Sequence, residues 1–143
     1  MSIRMLSDLA DTERLAAALA GVVRPGDAIL LSGELGAGKT ALARAFLRAL
    51  TEDLALDVPS PTFTLVQTYD TPKGRVHHYD LWRLTDHRAM AELGWDDALE
   101  DIVLVEWPDR LGPLTPSHAL SVVLRPTGDD KREATLTGWV DRL

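Results

Sequence analysis

The stretch GELGAGKT, residues 33 to 40, contains the residue types that a phosphate-binding loop needs. Glycines allow successive backbone N–H groups to turn toward phosphate oxygens, and the start of a following helix adds its positive end. The pattern G-x-x-x-x-G-K-[ST] is met by Gly33, Gly38, Lys39 and Thr40. In such a loop the lysine reaches the β and γ phosphates, and the threonine hydroxyl binds Mg²⁺. The alternative is a glycine-rich turn that holds no ligand.

The segments on either side of this stretch decide between these two interpretations. AILLSG, residues 28 to 33, is a continuous apolar run with the length of a strand buried in a parallel sheet. The segment TALARAFLRAL that follows Lys39 favours a helix, with Leu42, Phe46 and Leu50 along one face. Because a P-loop lies between a buried strand and a helix, the sequence predicts phosphate binding.

Two carboxylates are candidates to complete this site. In DIVLVEW, residues 101 to 107, four apolar residues are followed by Glu106. Glu106 is a candidate metal ligand, a group that polarises the attacking water, or a solvated acid at the end of a strand. Asp80, in VHHYDLWRL, follows a run with strand composition and is a candidate to orient water or to bind metal through water. An ordinary structural role for Asp80 is equally compatible with the residues alone.

A β-hairpin is predicted by SPTFTLVQTYD, residues 60 to 70, followed by TPKG and RVHHYD. Its two ends bring Ser60 and Thr62 close to Asp80. These two hydroxyls are candidates for a nucleotide-sensing switch or are ordinary turn hydroxyls. His77 and His78 are adjacent on a strand and therefore point to opposite faces, so packing or surface roles are favoured over joint metal binding.

Helices and a second hairpin account for most of the remaining chain. Asp11 is expected to cap a first helix, which Pro25 and Gly26 end. Residues 85 to 100 predict a short helix stopped by Gly94 and a further helical turn. ALSVVLR, PTGDDK and REATLTGW predict a closing hairpin with Arg132 on its surface, unless the hairpin folds back over a nucleotide.

Length and composition favour a single α/β domain covering residues 1–143. We predict a three-layer P-loop NTPase-type fold with a mainly parallel central sheet and antiparallel β-hairpin additions. The chain contains 45% hydrophobic and 26% charged residues, and it has no long apolar run and no signal peptide, so a cytoplasmic location without membrane association is expected.

Charge and residue usage exclude several classes of function. The absence of cysteine excludes disulfides, thiolate zinc sites and a cysteine nucleophile. The net charge of −7 argues against unaided binding to DNA or RNA. Since the chain has no asparagine, it lacks the Asn-Lys-x-Asp motif with which Ras-type GTPases recognise guanine. A small-molecule kinase and an ATP-gated binding module with little hydrolysis remain alternatives to an ATPase, although no lid arginine cluster of the kinase type is evident.

Five ordered motifs carry a resemblance to a known family. GELGAGKT, SPTFTLVQTY, HYDLWRL, ELGW and LVEWPDRL resemble, in order and spacing, the TsaE (YjeE) family of small ATPases required to form threonylcarbamoyladenosine in bacterial tRNA. The similarity extends from about residue 6 to residue 138. Family members usually have GDLGAGKT, HFDLYRL and LIEWPE, so Glu34, Trp82 and Asp109 are departures at positions that bear no chemistry.

The resemblance implies a role for each matching residue. It implies that Asp80 is the catalytic residue near the γ phosphate of ATP and that Thr40 and Glu106 bind Mg²⁺. It implies that Trp107 lies beside the base. The remaining residues implied to contact the nucleotide are Leu9, Gly33, Leu35, Gly36, Ala37, Gly38, Lys39, Thr40 and Arg132.

The resemblance also implies partners. Such proteins act with TsaD and TsaB, which carry out the transfer, and their ATP cycle is thought to reset that complex between turnovers. The chain is therefore expected to be a slow ATPase that its partners stimulate and that reaches tRNA only through the complex.

Overall fold

A single mixed sheet forms the centre of the protein. The computed structural model describes residues 1–34 and 36–142. The strands in this part of the chain are β1 (Ser2–Leu6), β2 (Ala28–Ser32), β3 (Val66–Thr71), β4 (Gly74–Asp80), β5 (Ile102–Glu106), β6 (Leu120–Gly128) and β7 (Lys131–Thr137). They lie in the spatial order β1-β7-β6-β2-β5-β4-β3.

Parallel and antiparallel pairs occupy different parts of this sheet. The pairs β6–β2, β2–β5 and β5–β4 are parallel. The outer pairs β1–β7, β7–β6 and β4–β3 are antiparallel. The sheet thus combines parallel central strands with antiparallel hairpins, as the sequence predicted.

Hydrophobic cores lie on both faces of the sheet because successive strand residues alternate between faces. In β2, Ile29 and Leu31 belong to the core that also contains the helix residues Leu19 and Phe46. Leu30, between them in the chain, belongs to the other core, which includes Trp95. This explains why the apolar run of β2 is continuous: both of its faces are covered.

Three α-helices are described, α1 (Leu9–Val22), α2 (Lys39–Thr51) and α3 (Trp95–Ala98), together with 3₁₀ helices at His87–Leu93 and Pro108–Leu114. The expected cap of α1 was wrong. Asp8 is the N-cap, and its Oδ1 accepts from the Asp11 backbone N–H at 2.9 Å. Asp11 instead accepts from the Ser7 N–H at 2.8 Å, so both acids satisfy donors at the helix start.

The β3–β4 hairpin is also fastened to α1. Lys73, in its turn, donates through Nζ to the carbonyl oxygens of Ala20 at 2.7 Å and Gly21 at 2.9 Å. These carbonyls belong to the last turn of α1 and have no partner within the helix, so a cation stabilises them. In residues 1–34 and 36–142, none of the helices has the length and apolarity needed to cross a membrane.

Candidate functional site

Gly33 begins the loop between β2 and α2 and can only be glycine. Its φ is +143°, and a Cβ there would lie 2.5 Å from the carbonyl oxygen of Leu124 on β6. An L side chain would therefore meet a neighbouring strand as well as backbone strain. The loop leaves the sheet in close contact with β6. Leu35, which the family resemblance includes among the nucleotide contacts, lies outside the described residues.

Gly38 ends the loop and is the N-cap of α2. It has a left-handed backbone with φ +101°, and no side chain caps the helix. The first N–H groups of a helix have no partner within it, and they carry the positive end of its dipole. The predicted sequence of strand, loop and helix is therefore confirmed, and the uncapped end suits an anion such as phosphate.

Lys39 folds back over this loop. Its Nζ donates to the carbonyl oxygens of Gly33 and of Glu34, the latter at 3.0 Å, and lies 4.0 Å from the centre of the Trp107 ring. The side chain is buried, and burial lowers the pKa of Lys39. The nearby carboxylates of Glu106 and Asp80 oppose this shift, because they favour the charged amine. An ammonium ion is thus held in a partly desolvated place where an anionic ligand would stabilise it.

The two predicted carboxylates lie side by side at one edge of the sheet. Asp80 ends β4, Glu106 ends β5, and the two are register partners in this parallel pair. Both are almost completely buried, with 4% and 2% of their surface exposed. Because β2 runs parallel to β5, its end delivers the glycine loop to the same edge. Both candidate carboxylates therefore stand at strand ends beside this loop.

Thr40 and Glu106 have the chemistry of a magnesium site. Thr40 Oγ1 donates to Glu106 Oε1 at 3.2 Å, so two hard oxygen ligands are already adjacent. Residues 1–34 and 36–142 contain no cluster of three or more histidine or carboxylate side chains that could hold a metal, and this includes the site of Thr40 and Glu106. A magnesium ion at this pair would take its other ligands from phosphate and water oxygens, which is how this ion is usually bound to phosphate substrates.

Asp80 is held by the segment that precedes β3. Its Oδ2 accepts from Thr62 Oγ1 at 3.0 Å and from Ser60 Oγ at 3.4 Å, and its Oδ1 accepts from the Trp82 N–H at 3.1 Å. The two hydroxyls are themselves 2.8 Å apart. The predicted closeness of Ser60, Thr62 and Asp80 is confirmed. The two hydroxyls donate hydrogen bonds to the carboxylate, so they do more than stabilise a turn.

His78 is a further residue of this cluster, and the sequence interpretation missed it. Its Nε2 lies 2.8 Å from Glu106 Oε2, and its ring is fully buried. His77 faces the other way and pairs with Asp101 at 2.9 Å, so the expectation that the two histidines do not act together is correct. The alternation along β4 places His78 on the same face as Asp80, and this spacing was the available signal.

These residues enclose a cleft of about 460 Å³ at the edge of the sheet. Trp82 and Trp107 form one wall, with ring centroids 4.5 Å apart. Trp107 follows β5 with a left-handed backbone, φ +60°, which turns the chain away directly after Glu106. The described residues around this cleft are Gly36, Gly38, Lys39, Thr40, Ala41, Ser60, Thr62, Asp80, Trp82, Glu106 and Trp107.

A second cleft of about 330 Å³ lies on the other side of the loop. Leu9, which is largely exposed, and Arg132 lie in this cleft together with Ala37. Arg132 is half-buried on the β6–β7 hairpin, and a Cβ on Gly38 would lie 3.2 Å from its Nε, so the hairpin places this side chain against the loop. Trp107 lines the first cleft and Leu9 and Arg132 the second, so the predicted nucleotide contacts fall on both sides of Gly38.

The fold and the site together define a class. The chain is a mixed α/β protein with a glycine-rich loop between a strand and a helix and with two buried carboxylates beside it. More particularly, it belongs to the TsaE family: the family model described as threonylcarbamoyl adenosine biosynthesis protein TsaE matches residues 6–134. The resemblance drawn from the five motifs is thereby confirmed. The family's role is in threonylcarbamoyladenosine biosynthesis.

Individual relatives support this assignment. The chain is 35% identical over 134 residues to the tRNA threonylcarbamoyladenosine biosynthesis protein TsaE of Rickettsia bellii, which covers 93% of this chain and 92% of that protein. It is 41% identical over 103 residues to the TsaE of Aquifex aeolicus, covering 72% of this chain and 74% of that one. The crystal structure of YdiB from Bacillus subtilis is similar, with a TM-score of 0.76 and 28% identity over 99% of this chain and 87% of that chain.

Proposed function

We propose that the protein is a Mg²⁺-dependent ATPase of the P-loop NTPase type that supports threonylcarbamoyladenosine modification of tRNA. One observation carries the proposal: Lys39, Thr40, Asp80 and Glu106 come from three different elements and line one cleft. The types of these side chains match what phosphoryl transfer requires, namely a cation, hard metal ligands and an acid that orients water.

The phosphates of ATP would bind at the start of α2. The loop residues Gly36 and Gly38 and the uncapped helix end supply backbone N–H groups, and Lys39 exchanges its loop carbonyls for phosphate oxygens. Thr40 and Glu106 would hold the magnesium ion. When bound, this ion neutralises negative charge on the phosphate oxygens and helps to align them.

Asp80 is the residue proposed to orient the attacking water. The water oxygen bonds to the γ phosphorus, the bond from that phosphorus to the β–γ bridging oxygen breaks, and a proton of the water passes to Asp80 as ADP and phosphate leave. Asp80 suits this role because it lines the cleft and its hydrogen-bond partners are not those of the Thr40–Glu106 pair. However, Ser60, Thr62 and the Trp82 N–H already bond both of its oxygens. A carboxylate held in this way supports slow hydrolysis until the segment from 60 to 62 moves.

The proposed partners are TsaB and TsaD, in the cytoplasm, with tRNA reached through their complex. Among the described residues that line the cleft with Asp80 and Glu106 there is no arginine, and Lys39 is the one cation. Phosphoryl transfer is often accelerated by an arginine that a partner supplies. With a net charge of −7, the chain is also poorly suited to bind tRNA alone. Both observations favour an ATPase that depends on a protein complex.

The test is the steady-state rate of ADP release with and without TsaB and TsaD, in the presence of Mg²⁺. We expect a low basal rate and a clear stimulation that Lys39→Met abolishes. The absence of stimulation would contradict the proposed partnership. If most of the bound ATP is released unhydrolysed in a single-turnover assay, the protein is instead an ATP-gated binding module. ADP release that depends on a small acceptor and on no protein would indicate a kinase.

A further inference from the structure

Glu106 has two oxygens, and each has a different partner. Oε1 accepts from Thr40 Oγ1 at 3.2 Å, and Oε2 lies 2.8 Å from His78 Nε2. A carboxylate ion only accepts hydrogen bonds, so with Glu106 ionised the hydrogen of this bond belongs to His78 Nε2. The Nδ1 atom of the same ring is buried without a partner among the described residues. The imidazole is therefore committed to a single polar contact, the one with Glu106.

The sheet dictates this contact. His78 is the register partner of Leu104, and Asp80 is the register partner of Glu106. Two residues further along each strand the side chains return to the same face, so the ring of His78 reaches diagonally from β4 to the carboxylate at the end of β5. His78 and Glu106 are almost completely buried, at 0% and 2% exposure, so water has little access to compete for their hydrogen bond.

We propose that His78 is a positioning residue for Glu106. By occupying Oε2 it leaves one oxygen, Oε1, beside Thr40, where the pair would hold a metal ion, and it keeps the carboxylate from rotating away from Thr40. The inference rests on the proposed function, because the value of this orientation lies in presenting a single oxygen to Mg²⁺ beside a nucleotide. Groups that orient a metal-binding side chain in this way commonly contribute 10- to 100-fold to metal affinity.

Three variants separate positioning from packing. His78→Leu removes the N–H donor and keeps an apolar group in the buried place. His78→Gln retains an N–H at the end of the side chain. His77→Leu is the matched control, since it removes the neighbouring histidine on the opposite face, whose partner is Asp101 and not Glu106.

The first readout is ADP affinity by calorimetry with Mg²⁺ and with EDTA. In the wild type and in His77→Leu, Mg²⁺ should tighten ADP binding. In His78→Leu this gain should fall by about 10- to 100-fold while affinity in EDTA changes little, and His78→Gln should recover part of it. An undiminished gain in His78→Leu would overturn the inference. If the wild type itself binds ADP without any gain from Mg²⁺, the proposed function fails instead.

The second readout needs no variant to fold. Long-range ¹H–¹⁵N spectra of the nucleotide-free wild-type protein report which nitrogen of each histidine carries the proton. We expect His78 in the Nε2–H form and in slow exchange with solvent. Protonation on Nδ1, or an average of the two forms, would show that the bond to Glu106 is not maintained and would overturn the inference.

Discussion

Thr40 and Glu106, which are 66 positions apart in the chain, are joined by a hydrogen bond of 3.2 Å. This bond connects the first turn of α2 to the end of β5. The glycine loop and the carboxylate edge of the sheet therefore form one unit, in which a phosphate bound by the loop would lie beside Glu106.

Lys39→Met should lose ATP affinity without losing stability. A hydrogen bond to a charged group contributes about 1.5–3 kcal/mol, so ATP should bind about 10- to 150-fold more weakly. Burial lowers the pKa of Lys39, which means that folding disfavours its charged form. Replacing it with a neutral side chain of similar length should leave the unfolding midpoint at or above the wild-type value. Calorimetry and thermal unfolding check the two parts. A markedly lower midpoint, or unchanged ATP affinity, would contradict this role.

Asp80→Asn should bind ATP normally and lose turnover. The amide keeps the acceptor for the Trp82 N–H and can donate to the hydroxyls of Ser60 and Thr62, so the local structure should persist. It can no longer accept a proton, and such a group contributes about 100-fold or more to rate. The partner-stimulated ATPase rate and ATP affinity are measured together, with the exposed Asp70→Asn as control. A variant with normal stimulated turnover would remove Asp80 from the mechanism.

Strands, helices and turns could be predicted where consecutive residues of the sequence both carry the signal and determine the structure. The apolar run of β2, the helix signal after Lys39 and the turn of the β3–β4 hairpin are of this kind, and all three are confirmed. β1 was missed because Ile3 and Met5 are exposed on an edge strand, so no burial pattern marks it. Its strand conformation follows from pairing with β7, which comes at the other end of the chain.

The site was predictable as a set of residues but not as a network. Sequence spacing puts His78 and Asp80 on one face of a strand. It does not tell which strand lies alongside, and the bond from His78 to Glu106 depends on β5 being the neighbour of β4. In the same way, the position of Arg132 against Gly38 depends on how the β6–β7 hairpin packs on the loop. Strand order is a property of the whole sheet, so these contacts could not be found from local patterns.

Nucleotide binding should change tryptophan fluorescence. Lys39 lies 4.0 Å from the Trp107 ring, which in turn contacts Trp82, so movement of the lysine toward phosphate alters the surroundings of both rings. Trp107→Phe should remove most of the change seen on titration with ATP. Trp139→Phe is the control, because Trp139 lies near the C-terminal end of the sequence and is not among the residues that line the cleft with Lys39 and Trp107. A signal that survives in Trp107→Phe and disappears in Trp139→Phe would contradict this geometry.

Stability should fall at alkaline pH in a way that depends on Tyr79. Its hydroxyl donates to the Leu93 carbonyl at 2.9 Å, and burial raises the pKa of Tyr79 to about 12, above its ordinary value of about 10. The folded state thus retains a proton that the unfolded state releases. The stabilisation is fully present below pH 10 and is lost as the pH rises toward 12.

Tyr79→Phe should be less stable than wild type by about 1 kcal/mol near neutral pH, because the variant lacks this hydrogen bond. Between pH 10 and 12 this difference should shrink and then change sign, because two pKa units correspond to about 2.7 kcal/mol and phenylalanine has no proton to release. Groups that titrate in both proteins cancel. Urea unfolding of the two proteins at several pH values measures it, and a difference that stays constant up to pH 12 would show that the Tyr79 hydroxyl does not titrate with folding.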